Sequence, residues 1–406
     1  MINEIPEYFF KCLLQIPQAV RTVENFAGKD AESVVGFHRQ IPGYRPTPLR
    51  RLRNLARAWK VGEILVKDES KRFNLNSFKV LGSSYAIGRL LCKRLGLDPA
   101  KTEYGFLAGE EVRNRSGEMT FTTATDGNHG LGVAWAAEQL RQHAVIYMPK
   151  GSARSRVENI RSHGAVVEVT DRNYDETVRL ARRMAEKNNW FVIQDTAWEG
   201  YREIPLWIMQ GYMTISVEAQ SQMFQAEIRP THVFLQAGVG AFSGAMVASM
   251  VNQFRDDLPV FIIIEPNNAA CIFASAAAGD GCMHKVTGNL DTIMAGLACG
   301  EPNPIAWDIL RDFPSCYVSC GDYVAANGIR ILANPLQGDE RVEAGESGSV
   351  AVGLIDLLAN NQKFHGLREK LQIGPGSKLL LFNTEGATDP ENYREILWHG
   401  KYPSVD

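Results

Sequence analysis

The sequence predicts an α/β protein of two domains, each a mostly parallel twisted sheet flanked by helices, and three observations carry that expectation. The chain has 406 residues, too many for one small core. Its strand-like runs are apolar throughout, whereas a sheet with one wet face would alternate. Helix-like segments with apolar residues three and four apart separate those runs, the pattern of parallel strands joined by crossover helices.

Residues 131–140 read as a helix, and the apolar run 144–148 as a strand closed by Pro149-Lys150-Gly151. A helix over 154–162 stops at Gly164, and 165–169 is the next strand. Val178, Leu180, Ala181 and Met184 set a helix over 174–188, followed by a strand at 190–193. The alternation returns with a strand at 232–235, a helix after Phe242, and strands at 260–264 and 379–382. Segment 335–348 is polar and glycine-bearing, which suggests a surface loop.

Composition narrows the function. Hydrophobic residues make up 45%, charged residues 22%, and the net charge is −3 with no basic block, so nucleic acid is not an expected partner. The longest apolar run, 260–264, is far too short to span a bilayer. The N-terminus carries Glu4, Glu7 and Lys11 and lacks a basic-then-apolar leader pattern, so the expected location is cytoplasmic. Seven cysteines form no CxxC and read as reduced, mostly buried thiols, with a disulfide among Cys271, Cys282 and Cys299 left open. The eight histidines show no ligand-like pairing, so no metal is expected.

Three clusters could carry chemistry. Ser77-Phe78-Lys79 encloses an amine among Phe78, Val80 and Leu81, which should lower its pKa and free it for a Schiff base with an aldehyde. Gly238-Val239-Gly240-Ala241 follows a strand and opens a helix. Its bare backbone amides suit a phosphate; a dinucleotide site, with Glu265 as ribose ligand, and a plain tight turn are the alternatives. Pyridoxal 5'-phosphate needs both an amine and a phosphate cradle. Thr123-Ala124-Thr125-Asp126-Gly127-Asn128-His129-Gly130 is the third. Its amides suit a substrate carboxylate and Asn128 a ring hydroxyl, while Asp126 is either a charged site residue in need of a cation or a helix cap.

Pro46-Thr47-Pro48-Leu49, Lys67-Asp68-Glu69-Ser70, Ser77-Phe78-Lys79, Gly127-Asn128-His129-Gly130, Gly238-Val239-Gly240 and Glu265-Pro266 resemble, in this order, the fold-type II pyridoxal-phosphate enzymes, the threonine dehydratase and tryptophan synthase β superfamily. Three stretches resemble the diaminopropionate ammonia-lyases within it: residues 124–130, the block Asp195-Thr196-Ala197-Trp198-Glu199-Gly200-Tyr201 continuing to Tyr212, and residues 292–302.

The resemblance implies that Lys79 holds the cofactor covalently and that Asn128 contacts its ring hydroxyl. It implies that the backbone of Gly238, Val239, Gly240 and Ala241 binds the phosphate, and that Thr384 faces the pyridine nitrogen. The wider family often has Ser at this last position. Lys79, Asp126 and Asp195 would be catalytic, with Lys79 taking the α-proton of the L-substrate and Asp126 that of the D-substrate. Ser77, Thr125, Asp126 and Asp195 would bind substrate. Asp195 also reads as an exposed loop acid or cap, Ser77 as a helix cap, and Glu346 as either a supporting acid or a surface one. Cys299 and Trp198 read as packing residues.

The activity implied is α,β-elimination of 2,3-diaminopropionate to pyruvate and two ammonia by a homodimer. The alternatives are a serine or threonine dehydratase on the same fold, a nicotinamide-dependent dehydrogenase and a binding protein without catalysis. A cofactor domain over 1–98 and 207–406 would be closed upon by a smaller mobile domain over 99–206.

Overall fold

The computed structural model describes residues 2–17, 23–255 and 257–405. Among them twelve strands follow in chain order: β1 (Ile2–Ile5), β2 (Phe10–Leu14), β3 (Leu49–Arg51), β4 (Glu63–Asp68), β5 (Thr120–Ala124), β6 (His143–Met148), β7 (Val166–Val169), β8 (Phe191–Val192), β9 (His232–Gln236), β10 (Val260–Pro266), β11 (Cys316–Cys320) and β12 (Lys378–Asn383). They build two sheets. The larger has the order β1-β2-β11-β10-β9-β12-β4-β3, and the smaller β7-β6-β5-β8.

The apolar strands form a parallel block. β11, β10, β9, β12 and β4 pair in parallel, and β1, β2 and β3 add antiparallel edges. All pairings of the smaller sheet are parallel. The two faces of the large sheet feed different cores with a period of two. Leu65, Val233, Leu235, Phe261, Ile263, Leu380 and Phe382 point into one cluster. Ile64, Val66, Phe234, Ile262, Ile264, Leu379 and Leu381 point into the other. Burial on both faces is the physical reason these strands carry no polar alternation.

The helix Tyr174–Asn188 begins on a capping box, with Asn173 and Glu176 satisfying each other's backbone amides. The helix Lys79–Leu95 packs against Glu203–Gln225 on one side and Asn128–Gln139 on the other.

One expectation is corrected. Segment 335–348 is exposed around Leu336, Gln337 and Gly338, but Ala344 is buried and a buried helix, Glu346–Asn360, starts at Glu346. Glu346 turns inward and accepts from Asn392, while Gln337, Glu340 and Arg341 stay exposed. The N-terminal residues pair as β1 and β2, and β2 lies antiparallel on β11 with Cys12 opposite Val318. All seven cysteines are free and six are buried; the Sγ atoms of Cys12 and Cys316 lie 3.2 Å apart.

Candidate active site

The carboxyl ends of parallel strands collect the residues that the sequence spreads over three hundred positions. In the large sheet, adjacent strands β4, β12 and β9 lead to Lys79, Thr384 and Gly238 respectively. In the small sheet, β5 leads to Asp126 and Asn128, and β8 to Asp195. All of these line one cleft.

Lys79 Nζ donates to Asp195 Oδ2 at 2.5 Å, and Asp195 is 3% exposed. Asp195 is therefore a buried ion-pair partner, and its surface-loop alternative falls. The expected fall in the lysine pKa is also corrected. Burial does oppose the ammonium, but Asp195, with smaller help from Tyr212 and Asp126, outweighs it and raises the pKa above the usual lysine value. Burial likewise opposes the Asp195 carboxylate, and the lysine charge overcomes it, holding Asp195 at about 2. Asp195 is fixed through its neighbours. Tyr201 Oη accepts from the backbone N–H of Gln194 at 2.9 Å, and Asn303 Nδ2 donates to the carbonyl of Asp195 at 2.8 Å. The backbone N–H of Asn303 donates to Val239 at 2.8 Å, so one residue ties Asp195 to the glycine turn.

That turn has the geometry of an anion cradle. Among the described residues, the backbone N–H groups of Gly238, Val239, Gly240 and Ala241 donate to no protein acceptor, and the helix Ala241–Phe254 begins there. Gly240 has φ +91°, a left-handed conformation that favours glycine. A Cβ on Gly238 would sit 3.1 Å from the carbonyl of Gly296 and 3.2 Å from Cys299 Sγ.

Gln236 and Glu385 hold two of the named residues, and neither was singled out from sequence. Gln236 Nε2 donates to the carbonyl of Phe382 and to Thr384 Oγ1, both at 2.9 Å. The carbonyl fixes which end of the amide is nitrogen, so Thr384 is an acceptor there and its own O–H is free to donate elsewhere. Asn128 Nδ2 donates to Glu385 Oε2 at 2.5 Å, and Glu385 Oε1 accepts from the backbone N–H of Ser347 at 3.0 Å. These partners lie 148 and 257 positions apart, beyond any local sequence signal.

Asp126 meets its cation. Arg156 Nη1 lies 3.4 Å from Asp126 Oδ2, while the helix Asn128–Gln139 has no side-chain cap, so the cap alternative falls. Burial raises the Asp126 pKa, with Arg156 and Lys79 pulling against it. Asp126 also borders a second cleft, lined further by Arg156 and Glu346. Glu346 is buried, accepts from Asn392 Nδ2 at 2.6 Å, and is pushed up to about 7 by burial and by Glu385.

Two expected substrate contacts lie outside the main cleft lining. Ser77 Oγ accepts from the backbone N–H of Lys79 at 3.4 Å. Thr125 Oγ1 accepts from the N–H groups of Gly127 and Gly130 at 2.9 and 3.0 Å. Both hydroxyls brace backbone. Among the described residues, no cluster of three or more His, Cys, Asp or Glu is placed to hold a metal ion.

The wall also carries buried polar atoms with no protein partner: His129 Nδ1, Gln236 Oε1 and Ser347 Oγ. Such atoms are rare in a finished core and are expected where a ligand completes the site. An amine, an unclaimed set of backbone donors and a donor hydroxyl on one cleft fit a molecule with an aldehyde, a phosphate and a ring nitrogen.

Comparison with known proteins agrees. The profile of the family described as pyridoxal-phosphate dependent enzyme matches residues 41–369. The chain is similar to the diaminopropionate ammonia-lyase of Salmonella typhimurium, 49% identical over 92% of this chain and 93% of that one. The crystal structure of holo diaminopropionate ammonia-lyase from Escherichia coli superposes with a TM-score of 0.92 at 47% identity, covering 98% of this chain and 99% of that one. A second structure of that enzyme, in complex with an aminoacrylate–pyridoxal-phosphate azomethine intermediate, gives a TM-score of 0.91, also at 47% identity and with the same coverage.

Proposed function

The chain belongs to the pyridoxal-phosphate dependent enzymes and, among them, to the diaminopropionate ammonia-lyase family, and from that membership we infer how its own residues divide the work. It is a carbon–nitrogen lyase that eliminates ammonia from 2,3-diaminopropionate and yields pyruvate and a second ammonia. The observation that carries the reading is the sharing of one cleft by Lys79, the glycine turn and Thr384.

When bound, pyridoxal phosphate supplies an aldehyde for amines and a ring that withdraws electron density from the substrate α-carbon. Lys79 would hold it, with the amides of Gly238, Val239, Gly240 and Ala241 on the phosphate, Asn128 on the ring hydroxyl and Thr384 donating to the ring nitrogen. A hydroxyl donor leaves that nitrogen unprotonated, which suits elimination better than transamination.

Lys79, once free as an amine, takes the α-proton of the L-substrate. Asp195, 2.5 Å from Nζ, steadies the lysine whenever it is charged. Asp126, held by Arg156, takes the α-proton of the D-substrate. As the Cβ–N bond breaks, its electron pair leaves with ammonia. A smaller domain over 99–206 would close over the substrate, and a cytoplasmic homodimer completes the proposal.

Ammonia and pyruvate release, measured with each enantiomer of 2,3-diaminopropionate beside serine and threonine, tests the reading. Turnover of serine or threonine well above both diaminopropionates would favour the dehydratase alternative.

A further inference from the structure

The helix Arg154–Arg161 carries three arginines, and only Arg156 is buried, at 7% exposure. Burying a guanidinium is costly unless its donors find partners. The Arg156 stem crosses the turn before Asn128. A Cβ on Gly127 would lie 2.8 Å from Arg156 Cδ, and Gly127 has φ +152°, so glycine lets the arm pass. The two terminal nitrogens reach different sheets. Nη1 donates to Asp126 Oδ2 at 3.4 Å and to the Asp126 carbonyl at 3.5 Å, just past β5 of the small sheet. Nη2 donates to Thr388 Oγ1 at 3.2 Å, past β12 of the large sheet. Asp126 keeps 19% of its side chain exposed and borders both clefts.

We propose that Arg156 is the positioning residue of the D-substrate base: anchored on Thr388, it holds the Asp126 carboxylate ready for the α-proton, and the range of accepted enantiomers depends on it. This deepens the functional reading above and rests on it. Asp126 can take the α-proton only as a carboxylate. The proton moves from Cα to a carboxylate oxygen, the Cα–H electron pair becomes the Cα=Cβ bond, and the Cβ–N pair leaves with ammonia. Burial opposes the carboxylate. Arg156 is the largest force against burial, ahead of Lys79, while Glu385 sides with burial. Lys79 must give up its charge to serve as an amine, whereas a guanidinium keeps its charge throughout. Arg156 is thus the constant counter-charge. Among the described residues, Arg156 bonds neither Lys79 nor Asp195 and lies outside the main cleft lining, so proton removal from the L-substrate does not run through it.

Other titratable groups surround Asp126. His129, Tyr174, Asp195 and Cys299 share the main cleft with it. Lys150, Asp291, Glu346 and Asp389 share the second. The variants below leave all of them in place, so a change in pH profile between wild type and variant reports Arg156.

The test uses holoenzyme and both enantiomers of 2,3-diaminopropionate. Arg156→Gln removes the charge. It should lower kcat on the D-enantiomer roughly 10- to 100-fold, the range for a hydrogen bond to a charged group, and kcat on the L-enantiomer far less. A carboxylate that loses a neighbouring cation is protonated more easily, so the acid limb of the D profile should move up by about one pH unit or more while that of the L profile stays. Arg156→Lys returns the charge and should recover the limb and part of the D rate. Thr388→Val removes the anchor and no charge. It should lower the D-to-L ratio roughly two- to tenfold without moving the limb.

An Arg156→Gln enzyme that keeps the wild-type D-to-L ratio, or that loses both enantiomers equally, would overturn the proposal. Should that variant not fold, an unchanged ratio in Thr388→Val would do the same. Wild-type holoenzyme inactive on the D-enantiomer would instead remove the two-base reading, and the proposal with it.

Discussion

A methyl group added at Gly238 should separate phosphate binding from every other contribution to cofactor affinity. Its Cβ would lie 3.1 Å from the Gly296 carbonyl oxygen and 3.2 Å from both Cys299 Sγ and Leu297 Cα. Two of these three atoms are backbone and cannot swing aside, so the turn itself must move. Overpacking of this kind costs about 1–3 kcal/mol. A shift of a few tenths of an ångström also weakens the amide contacts to a dianion, where one hydrogen bond to a charged group is worth about 1.5–3 kcal/mol. The packing strain is present with and without cofactor, so the loss of about one such bond sets the effect: about 1.5–3 kcal/mol, or roughly a 10- to 150-fold weaker Kd for pyridoxal phosphate. Apoenzyme titrated with the cofactor, followed by absorbance, reads this directly. Pyridoxal without its phosphate is the decisive control. Gly238→Ala should leave pyridoxal affinity within about threefold of wild type, because no amide contact is at stake. Equal weakening of both ligands would mean a distorted cleft and would refute the cradle; unchanged affinity for both would refute it as well.

Asp126→Asn should depress kcat on the D-enantiomer by about 100-fold or more, the usual scale of a general base, while the L-enantiomer falls far less. Matching losses in the two steady-state assays would sink the two-base division. Glu218 accepts from Tyr44, Thr47, Lys67 and Arg72 in a buried cluster completed by Glu69. Glu218→Gln strands one buried positive charge and should cost about 3–5 kcal/mol in urea unfolding, and a loss under about 1 kcal/mol would contradict that. Glu346 is raised from 4.5 to about 7 in the folded state. The folded protein therefore binds more protons than the unfolded chain between those values, and stability drains away as pH rises through about 7. Against Glu346→Gln, wild type should lose up to about 3 kcal/mol between pH 5 and 8, and parallel pH profiles of the two unfolding midpoints would argue otherwise.

The central strands and the helix Tyr174–Asn188 were legible because burial on both faces and helical spacing leave direct marks on sequence. β8 was not bounded well because it has only two residues and borrows its pairing from β5. β1 and β2 carried a faint signal, with Phe10 and Cys12 inside and Lys11 outside, yet their partner β11 lies some three hundred residues away. At the site, the lysine, the glycine turn and Asp126 stood out by residue type. Asp195 was marked only by the family-like block 195–201, and its pairing with Lys79 was not legible. Asp195 reaches Lys79 across 116 positions, and its charge reverses the pKa shift that burial alone implies. Gln236, Glu385 and Arg156 look like ordinary polar residues until the chain folds, since what they do depends on the groups they meet.

The most direct measurement is borohydride reduction of the holoenzyme followed by proteolysis and mass mapping. The account predicts that the reduced pyridoxyl phosphate mass lies on the peptide that contains Lys79, and that Lys79→Ala carries no such mass and no turnover. The mass on another lysine, or normal turnover by Lys79→Ala, would contradict it.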